Sequence, residues 1–205
     1  MGSLHALCCL LLIATTHAGP AHDSALFSAT AKDDPTKIDS ALAAGANVNA
    51  HSRDMKGHTP LIVAALFGLG KAVPKLLQAG ADTSITGDDG FDAMDTAAYY
   101  GQWGVVQLLI QHGVELDRVS EQDGFSPIFR ACLGKEQHHT DTVNILLRAG
   151  VDFEVKRNGK LPVQMAGRKE TVDLLRKYRD NRRNTPPPPP TAVGGHATHD
   201  PLYDL

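Results

Sequence analysis

The chain of 205 residues has few cysteines, few aromatic residues and little net charge. Two of its three cysteines, Cys8 and Cys9, lie near the N-terminus, so cleavage of that segment would leave Cys132 alone and exclude an internal disulfide. Aromatic residues make up only 5% of the chain, and this composition suits closely stacked helices better than a β-sandwich core. The formal net charge of -3 gives no field strong enough to indicate nucleic-acid binding.

Motifs of common catalytic sites are also missing. The chain contains no G-x-S-x-G, H-E-x-x-H or C-x-x-C motif and no glycine loop of the kind that binds phosphate. It has no Asn-x-Ser/Thr sequon for N-glycosylation either. The missing catalytic motifs favour a protein that is not an enzyme and that needs no cofactor, whereas the missing sequon and disulfide favour a periplasm or an internal organelle as its location.

The N-terminus carries an apolar run at residues 6–14 (ALCCLLLIA). Small residues, Thr16 and Ala18, occupy the −3 and −1 positions before Gly19, as at a signal-peptidase site. We therefore predict a secretory signal peptide over residues 1–18, although the segment before the run has no Lys or Arg. The run is too short for a stable membrane anchor, so we expect a secreted, periplasmic or organelle-lumen protein without a membrane span after cleavage.

A lipid anchor is the alternative for the same segment. Gly2 lies where N-myristoylation occurs, and Cys8 and Cys9 could accept palmitate, which would make the protein a cytosolic adaptor. The myristoylation motif has Ser or Thr at the position that Ala6 occupies. This mismatch favours the signal peptide.

Two series of glycines run through the rest of the chain with a common period. The first series has spacings of 35, 33 and 37 and consists of Gly45, Gly80, Gly113 and Gly150. The second has spacings of 33, 34 and 35 and consists of Gly57, Gly90, Gly124 and Gly159. Two interleaved series of one period predict a repeat protein, which excludes most enzyme folds.

Each period contains the signals for two helices. In the second period Thr59 is a suitable N-cap, and Pro60 fits the first helical position, where a missing N–H costs nothing. Apolar residues then recur at helical spacing from Ala72 to Leu77. Gly80 lies where a left-handed residue commonly ends a helix. The unit is therefore a helix, a turn and a second helix.

The second period resembles the ankyrin repeat. Its segments GHTPLIVAA (residues 57–65) and LLQAGAD (residues 76–82) are similar to the family signatures G-x-T-P-L-H-x-A-A and L-L-x-x-G-A-D. The resemblance implies an all-α solenoid of about five helix-turn-helix repeats with projecting β-hairpin-like loops. It also implies a non-catalytic module that binds another protein.

The resemblance divides the chain into three parts: the signal peptide, a repeat domain over residues 24–179 and a tail over residues 180–205. The tail contains five consecutive prolines and is expected to be disordered. Within the domain, the repeats are expected at about residues 24–53, 54–86, 87–120, 121–155 and 156–179.

Two departures from the family pattern are informative. The histidine of the signature is replaced in successive repeats by Ile62, Asp95, Phe129 and Gln164, so the hydrogen bonds usually made there must be rearranged. The fourth repeat carries about three extra residues between its helices, within residues 135–140.

The repeat register predicts which side chains are displayed. Ankyrin-repeat proteins bind partners through hairpin tips and first helices, and five of the chain's eleven aromatic residues fall at such positions. We expect a monomer that binds a protein of unknown identity through Met55, His58, Leu66, Phe67, Asp88, Asp89, Phe91, Tyr99, Tyr100, Asp123, Phe125 and Leu133. For Phe67 and Tyr99 the alternative is packing against the next repeat, and Trp103 is expected to pack in an inter-helix turn.

The insertion in the fourth repeat offers a competing site. His138, His139 and Asp141 could bind a metal ion or take part in an enzymatic reaction. They lack a second cluster with ligand spacing, so a solvated surface is favoured and we predict neither a metal nor a catalytic site. Cys132 occupies the second position of an Ala-Ala pair and is expected to be a buried, unreactive thiol.

Overall fold

The computed structural model describes residues 20–184, and ten helices follow one another in this part of the chain. In chain order they are α1 (Pro20–Ala31), α2 (Pro35–Ala43), α3 (Pro60–Phe67), α4 (Ala72–Gln78), α5 (Ala93–Tyr99), α6 (Trp103–Gln111), α7 (Pro127–Leu133), α8 (Gln137–Arg148), α9 (Pro162–Met165) and α10 (Lys169–Asn184). Apart from one isolated β-bridge, residues 20–184 contain no β-structure. The predicted all-α class is therefore confirmed. None of these ten helices is long and apolar enough to cross a membrane.

The helices pack as two parallel rows. The first helices of successive repeats, α1, α3, α5, α7 and α9, each contact the next, and so do the second helices, α2, α4, α6, α8 and α10. Within each repeat the two helices also pack against each other. Small residues with no exposed surface lie between the first helices and allow close approach: Ala64, Ala65, Ala97, Ala98, Ala131 and Cys132. The solenoid predicted from the glycine period is therefore present.

The first helices begin in different ways. Thr59 caps α3, since its Oγ1 accepts a hydrogen bond from the N–H of Ile62 at 3.3 Å. Asp92 caps α5 and accepts from the N–H of Asp95 at 2.8 Å. Ser126, at the start of α7, makes no capping hydrogen bond with its side chain. Local sequence therefore predicts the start of each helix better than it predicts the capping bond.

Both glycine series adopt the left-handed backbone conformation. The φ angles of the eight glycines lie between +66° at Gly57 and +93° at Gly45. A residue with a side chain would be strained in this region, which explains why glycine recurs once per repeat at each position.

The loops between repeats are hairpin-like turns that stack on one another. In the second repeat the N–H of Ser52 donates to the carbonyl of His58 at 2.9 Å. In the third, the N–H of Gly87 donates to the carbonyl of Phe91 at 3.0 Å. The N–H of Asp88 also donates to the carbonyl of Lys56 at 2.8 Å, so neighbouring tips are joined through their backbones.

The insertion of the fourth repeat lengthens a helix. Helix α8 has 12 residues, whereas the equivalent α6 has nine. The extra residues, 137–139, form an additional first turn of α8 that points back toward the third repeat. The insertion is thus part of the regular structure and does not form a loop.

The helical domain is longer than predicted at both ends. Helix α1 begins at Pro20, before the expected start at residue 24. Helix α10 continues to Asn184, so residues 180–184 are helical and their assignment to a disordered tail is wrong. The signal-peptide region, the lipid-anchor residues Gly2, Cys8 and Cys9, and the proline-rich tail from residue 185 lie outside the described residues.

Candidate protein-binding face

A cleft of about 470 Å³ lies between the hairpin tips and the ends of the first helices in the second and third repeats. We call it the tip cleft. Its walls come from the two tips and from α3 and α5, and include Asp54, Met55, Lys56, His58, Leu66, Asp89, Phe91, Tyr99 and Tyr100. It lies between hairpin tips and first helices, the elements that the ankyrin resemblance predicts to bind a partner.

Two further clefts adjoin the tip cleft at the ends of the first helices. One of about 350 Å³ is lined by Tyr99, Tyr100, Leu133, Gly134, His138 and His139. The other, of about 510 Å³, includes Tyr100, Trp103, Leu108 and His138 in its wall. Tyr100 contributes to all three clefts, so this side chain lies at the junction of the whole face.

Large aromatic side chains are exposed at the ends of α3 and α5. Phe67 is 57% exposed at the end of α3, and Tyr99 and Tyr100 are 42% and 46% exposed at the end of α5. The rings of Tyr99 and Tyr100 meet edge to face at 5.2 Å. These residues are displayed at the positions that the repeat register predicts, and packing against the next repeat leaves Phe67 and Tyr99 about half exposed.

Trp103 is also exposed, and its expected packing role is wrong. It is the first residue of α6, and 48% of its surface is accessible. At this helix start it lines the same cleft as Tyr100 and His138. Trp103 therefore extends the aromatic surface beyond the predicted set.

Phe91 and Phe125 are half-buried and support the face from beneath. The Arg130 guanidinium lies 3.7 Å from the centre of the Phe91 ring, and Phe91 meets Tyr99 edge to face at 5.8 Å. Phe125 stacks on the buried Phe129 with ring centres 5.5 Å apart. Much of the surface of both rings is covered by contacts within the chain. The repeat register alone does not predict these contacts.

His58 is buried, so the expectation that its side chain is displayed is wrong. Only 6% of its surface is accessible, because the loop of the next repeat folds over it. Its Nε2 lies 3.2 Å from Asp89 Oδ2, and its Nδ1 has no hydrogen-bond partner within the described part of the chain. Gly87 packs so closely on the ring that a Cβ there would collide with it.

The remaining predicted residues differ in accessibility. Asp88 is exposed, whereas Met55, Leu66, Asp89 and Leu133 are partly covered in the walls of the clefts. Asp123 is about one-third accessible, and its carboxylate is held by Arg130 through two hydrogen bonds of 3.0 and 3.1 Å. The face thus consists of exposed aromatic residues surrounded by polar tips.

Arg130 supports the candidate face but is not among the residues predicted from the sequence. It is 1% exposed, and its Nε donates to Asp95 Oδ1 at 2.8 Å while its other nitrogens bind Asp123. Asp95 occupies the position of the signature histidine, and Arg130 follows it after 35 residues, which is one repeat period. Opposite charges at that spacing are the signal that would have identified the pair.

A second arginine continues this network on the side of α5. Arg118 Nη1 donates to Asp92 Oδ2 at 3.0 Å and to the carbonyl of Ser84 at 2.8 Å. Burial, followed by the charge of Asp92, raises the pKa of Asp95 to about 7, against the lowering effect of Arg130. Burial also raises the pKa of Asp92. Three carboxylates and two guanidinium groups therefore form one interconnected cluster.

His139 of the insertion contacts the backbone of the third repeat. His139 Nε2 donates to the carbonyl of Tyr99 at 3.1 Å, as Gln102 Nε2 donates to the carbonyl of Leu66 at 3.1 Å one repeat earlier. Asp141 accepts from the side chain of Gln137 at 3.1 Å. Residues 20–184 contain no group of three His, Cys, Asp or Glu side chains that could hold a metal ion.

Electrostatics agree with this assignment of His139 and with the predicted inertness of Cys132. Burial lowers the pKa of His139, so the neutral ring with a proton on Nε2 is favoured. Burial raises the pKa of the Cys132 thiol to about 12, far above the range in which a thiolate would react.

Comparison with known proteins agrees with the repeat architecture. Three copies of the family model described as ankyrin repeats match residues 26–120, 70–157 and 94–185. NF-kappa-B inhibitor delta of Mus musculus is 34% identical over 82 residues, which are 40% of this chain and 25% of that protein. Ankyrin repeat domain-containing protein 40 of Homo sapiens is 33% identical over 75 residues, covering 36% of this chain and 20% of that protein.

A third relative matches more of the chain. The transient receptor potential cation channel subfamily A member 1 homolog of Caenorhabditis elegans is 30% identical over 132 residues, which are 62% of this chain and 10% of that protein. The chain thus spans a quarter or less of the length of these three relatives. Since the family model matches most of the described residues, the chain belongs to the ankyrin-repeat family.

Proposed function

We propose that the chain is a non-catalytic module that binds a protein partner across the tip cleft and the exposed ends of α3 and α5. Ankyrin repeats are generally protein–protein interaction modules, and proteins built from them are typically non-catalytic. The observation that carries the proposal is the exposure of Phe67, Tyr99 and Tyr100 at 57%, 42% and 46% at the ends of these helices, where both tyrosines line the cleft.

Exposed aromatic residues favour this face over the other surfaces of the domain. Large aromatic side chains contribute strongly to binding when a partner removes them from water, and they are enriched among residues that dominate interface energy. The face is also preorganised, because its rings stand on packed helices and on the stacked loops. A partner therefore binds with little ordering cost on this side of the interface.

The test compares two double variants with the wild-type chain in affinity capture followed by identification of the captured proteins. Tyr99→Ala/Tyr100→Ala removes the two rings at the junction of the clefts. Gln107→Ala/His112→Ala changes two exposed residues in and just after α6, neither of which lines a cleft. We expect the tyrosine variant to lose partners that the control retains. Equal recovery by all three proteins would show that the partner binds elsewhere.

For the cellular location we propose the secretory pathway, with cleavage after Ala18. The support is the apolar run at residues 6–14 followed by small residues at the cleavage positions. Sequencing of the N-terminus of the protein from its native source distinguishes the possibilities. A start at Gly19 agrees with the proposal, whereas a lipidated Gly2 would establish the cytosolic, lipid-anchored alternative.

We also propose that the protein acts as a monomer. One copy already contains both walls of the tip cleft, so no second copy is needed to complete the face. Sedimentation equilibrium at micromolar concentration is expected to give the mass of a single chain. A dimer that dissociates on Tyr99→Ala/Tyr100→Ala substitution would instead mean that this face binds a second copy.

A further inference from the structure

The tips of the third and fourth repeats are uniformly acidic. The loops at residues 87–91 and 120–125 contain no Lys or Arg. They contain four carboxylates: Asp88, Asp89, Glu121 and Asp123. Because the tips stack on one another, these charges lie along one edge of the binding face.

Two of the four carboxylates are already engaged within the chain. Asp123 is held by the buried Arg130 at 3.0 Å. Asp89 Oδ2 lies 3.2 Å from His58 Nε2, and Asp89 Oδ1 accepts from a backbone N–H of its own loop. Their orientation is therefore set by the fold.

The other two carboxylates have no such role. Asp88 and Glu121 are exposed, and their side chains form no ion pair or hydrogen bond with any other residue between 20 and 184. They can meet an external cation without breaking an internal contact. Opposite charge on a partner would increase the rate of association and select the correct register.

Basic residues limit the acidic edge on both sides. The tip of the second repeat has Arg53 and Lys56 against one acid, Asp54, and the loop of the fifth repeat has Lys156, Arg157 and Lys160. A long polycation would meet like charges at both ends of the row. A partner with only one or two basic residues in the contact avoids this repulsion.

The acidic edge and the apolar surface share one cleft. Asp89 lines the tip cleft together with Met55, Leu66 and Tyr99. His58 also belongs to this wall, and its Nδ1 is buried without a hydrogen-bond partner in the described part of the chain. A short stretch of polypeptide could therefore place an apolar side chain in the cleft and a cation at its edge.

Resting on the proposed function, we infer that the partner contributes an extended segment with an aromatic or large aliphatic residue next to one or two Lys or Arg residues. The apolar side chain occupies the tip cleft beside Tyr99 and Tyr100. The basic side chains meet Asp88 and Glu121. An extended segment suits the site because its side chains alternate every ~3.3 Å and can reach both surfaces.

The test uses a phage-displayed library of random 12-residue peptides, selected on the wild-type chain. We expect the selected peptides to combine Phe, Trp or Leu with an adjacent Lys or Arg. One selected peptide is then synthesised with a fluorescent label, and its affinity is measured by fluorescence polarisation for the wild type and three variants.

The three variants separate charge from apolar contact. Asp88→Lys/Glu121→Lys reverses the free charges of the acidic edge and is expected to weaken binding about tenfold or more. Tyr99→Ala/Tyr100→Ala is expected to abolish it. Glu115→Lys/Asp173→Lys makes the same change in net charge at exposed sites that line no cleft, and is expected to leave affinity within about twofold of the wild type.

Each unexpected result of this experiment refutes a different part of the proposal. Peptides that need the tyrosines but bind equally to Asp88→Lys/Glu121→Lys would refute the basic partner and leave the proposed function intact. Peptides indifferent to Tyr99→Ala/Tyr100→Ala would refute both. Failure to select any peptide would refute an extended segment as the occupant, while the capture experiment would still test the binding face.

Discussion

Arg130 of α7 reaches back across one repeat to Asp95 of α5, and the two side chains form a buried ion pair of 2.8 Å. The same guanidinium group stacks on Phe91 at 3.7 Å. One buried cation therefore holds together two first helices and the ring on which Tyr99 rests. This contact replaces the hydrogen bonds that the signature histidine makes in the family, and it links the core of the solenoid to its candidate binding face.

Removal of Arg130 is expected to destabilise the domain strongly. Arg130→Met keeps much of the side-chain volume but leaves Asp95 and Asp123 without their cation, and the loss of one partner of a buried pair costs about 3 to 5 kcal/mol. Urea unfolding followed by circular dichroism measures the change. Arg176→Met, at an exposed residue whose carboxylate neighbour is 4.0 Å away, is the control and is expected to cost about 0 to 1 kcal/mol. Equal costs for the two variants would contradict a structural role for the network.

The stability of the domain is expected to depend on the protonation of Asp95. Burial, followed by the charges of Asp92 and Asp123, raises the pKa of Asp95 from 3.8 to about 7 against the lowering effect of Arg130. Between these values the folded state binds more protons than the unfolded state, so this group's contribution to stability falls as the pH rises through that window. We expect wild type to lose stability relative to Asp95→Asn between about pH 4 and pH 7. A difference that stays constant with pH would contradict the raised pKa.

Substitution of Thr59 by Ala is expected to reduce stability more than substitution of Ser126 by Ala, although both residues precede Pro at the start of a first helix. Thr59→Ala removes a hydrogen bond to the N–H of Ile62 and is expected to cost about 1 kcal/mol. Ser126 makes no capping bond with its side chain, so Ser126→Ala is expected to cost clearly less. Thermal unfolding of the two variants provides the comparison. A larger loss for the serine variant would mean that Ser126 has a role other than capping.

Cys132 is expected to be unreactive in the folded protein. Its pKa of about 12 and its complete burial leave almost no accessible thiolate at pH 8. In a Cys8→Ser/Cys9→Ser chain, Ellman's reagent is expected to detect no thiol until urea unfolds the domain. A chain that also carries Cys132→Ala gives the background. Rapid labelling without denaturant would show that the helix pair around Cys132 opens easily.

Local patterns predict the scaffold well, because each of its signals lies within one repeat. Thr59 caps the helix that it is expected to cap, and Gly57 and Gly80 adopt the left-handed conformation that their positions require. The exposure of Phe67, Tyr99 and Tyr100 at the ends of α3 and α5 follows from the same register.

The errors arise where one repeat acts on another. His58 is buried because the loop of the next repeat folds over it. Phe91 is partly covered because the guanidinium group of Arg130, from the following repeat, stacks on its ring. Trp103 is 48% exposed although His138 of the next repeat lines the same cleft. Patterns within a single period do not reveal contacts between repeats. Comparison of charged or small residues one full period apart does reveal them.

The hydrogen bond from His139 to the carbonyl of Tyr99 has a consequence for transplanting these repeats. The extra turn that presents His139 belongs to the fourth repeat, while the backbone that it holds belongs to the third. A chimera that receives only the third repeat would lose this support, together with the Arg130 contact beneath Phe91. The support of Tyr99 and Tyr100 therefore needs the third and fourth repeats together, and the extra turn of the fourth must be transplanted with the tyrosines of the third.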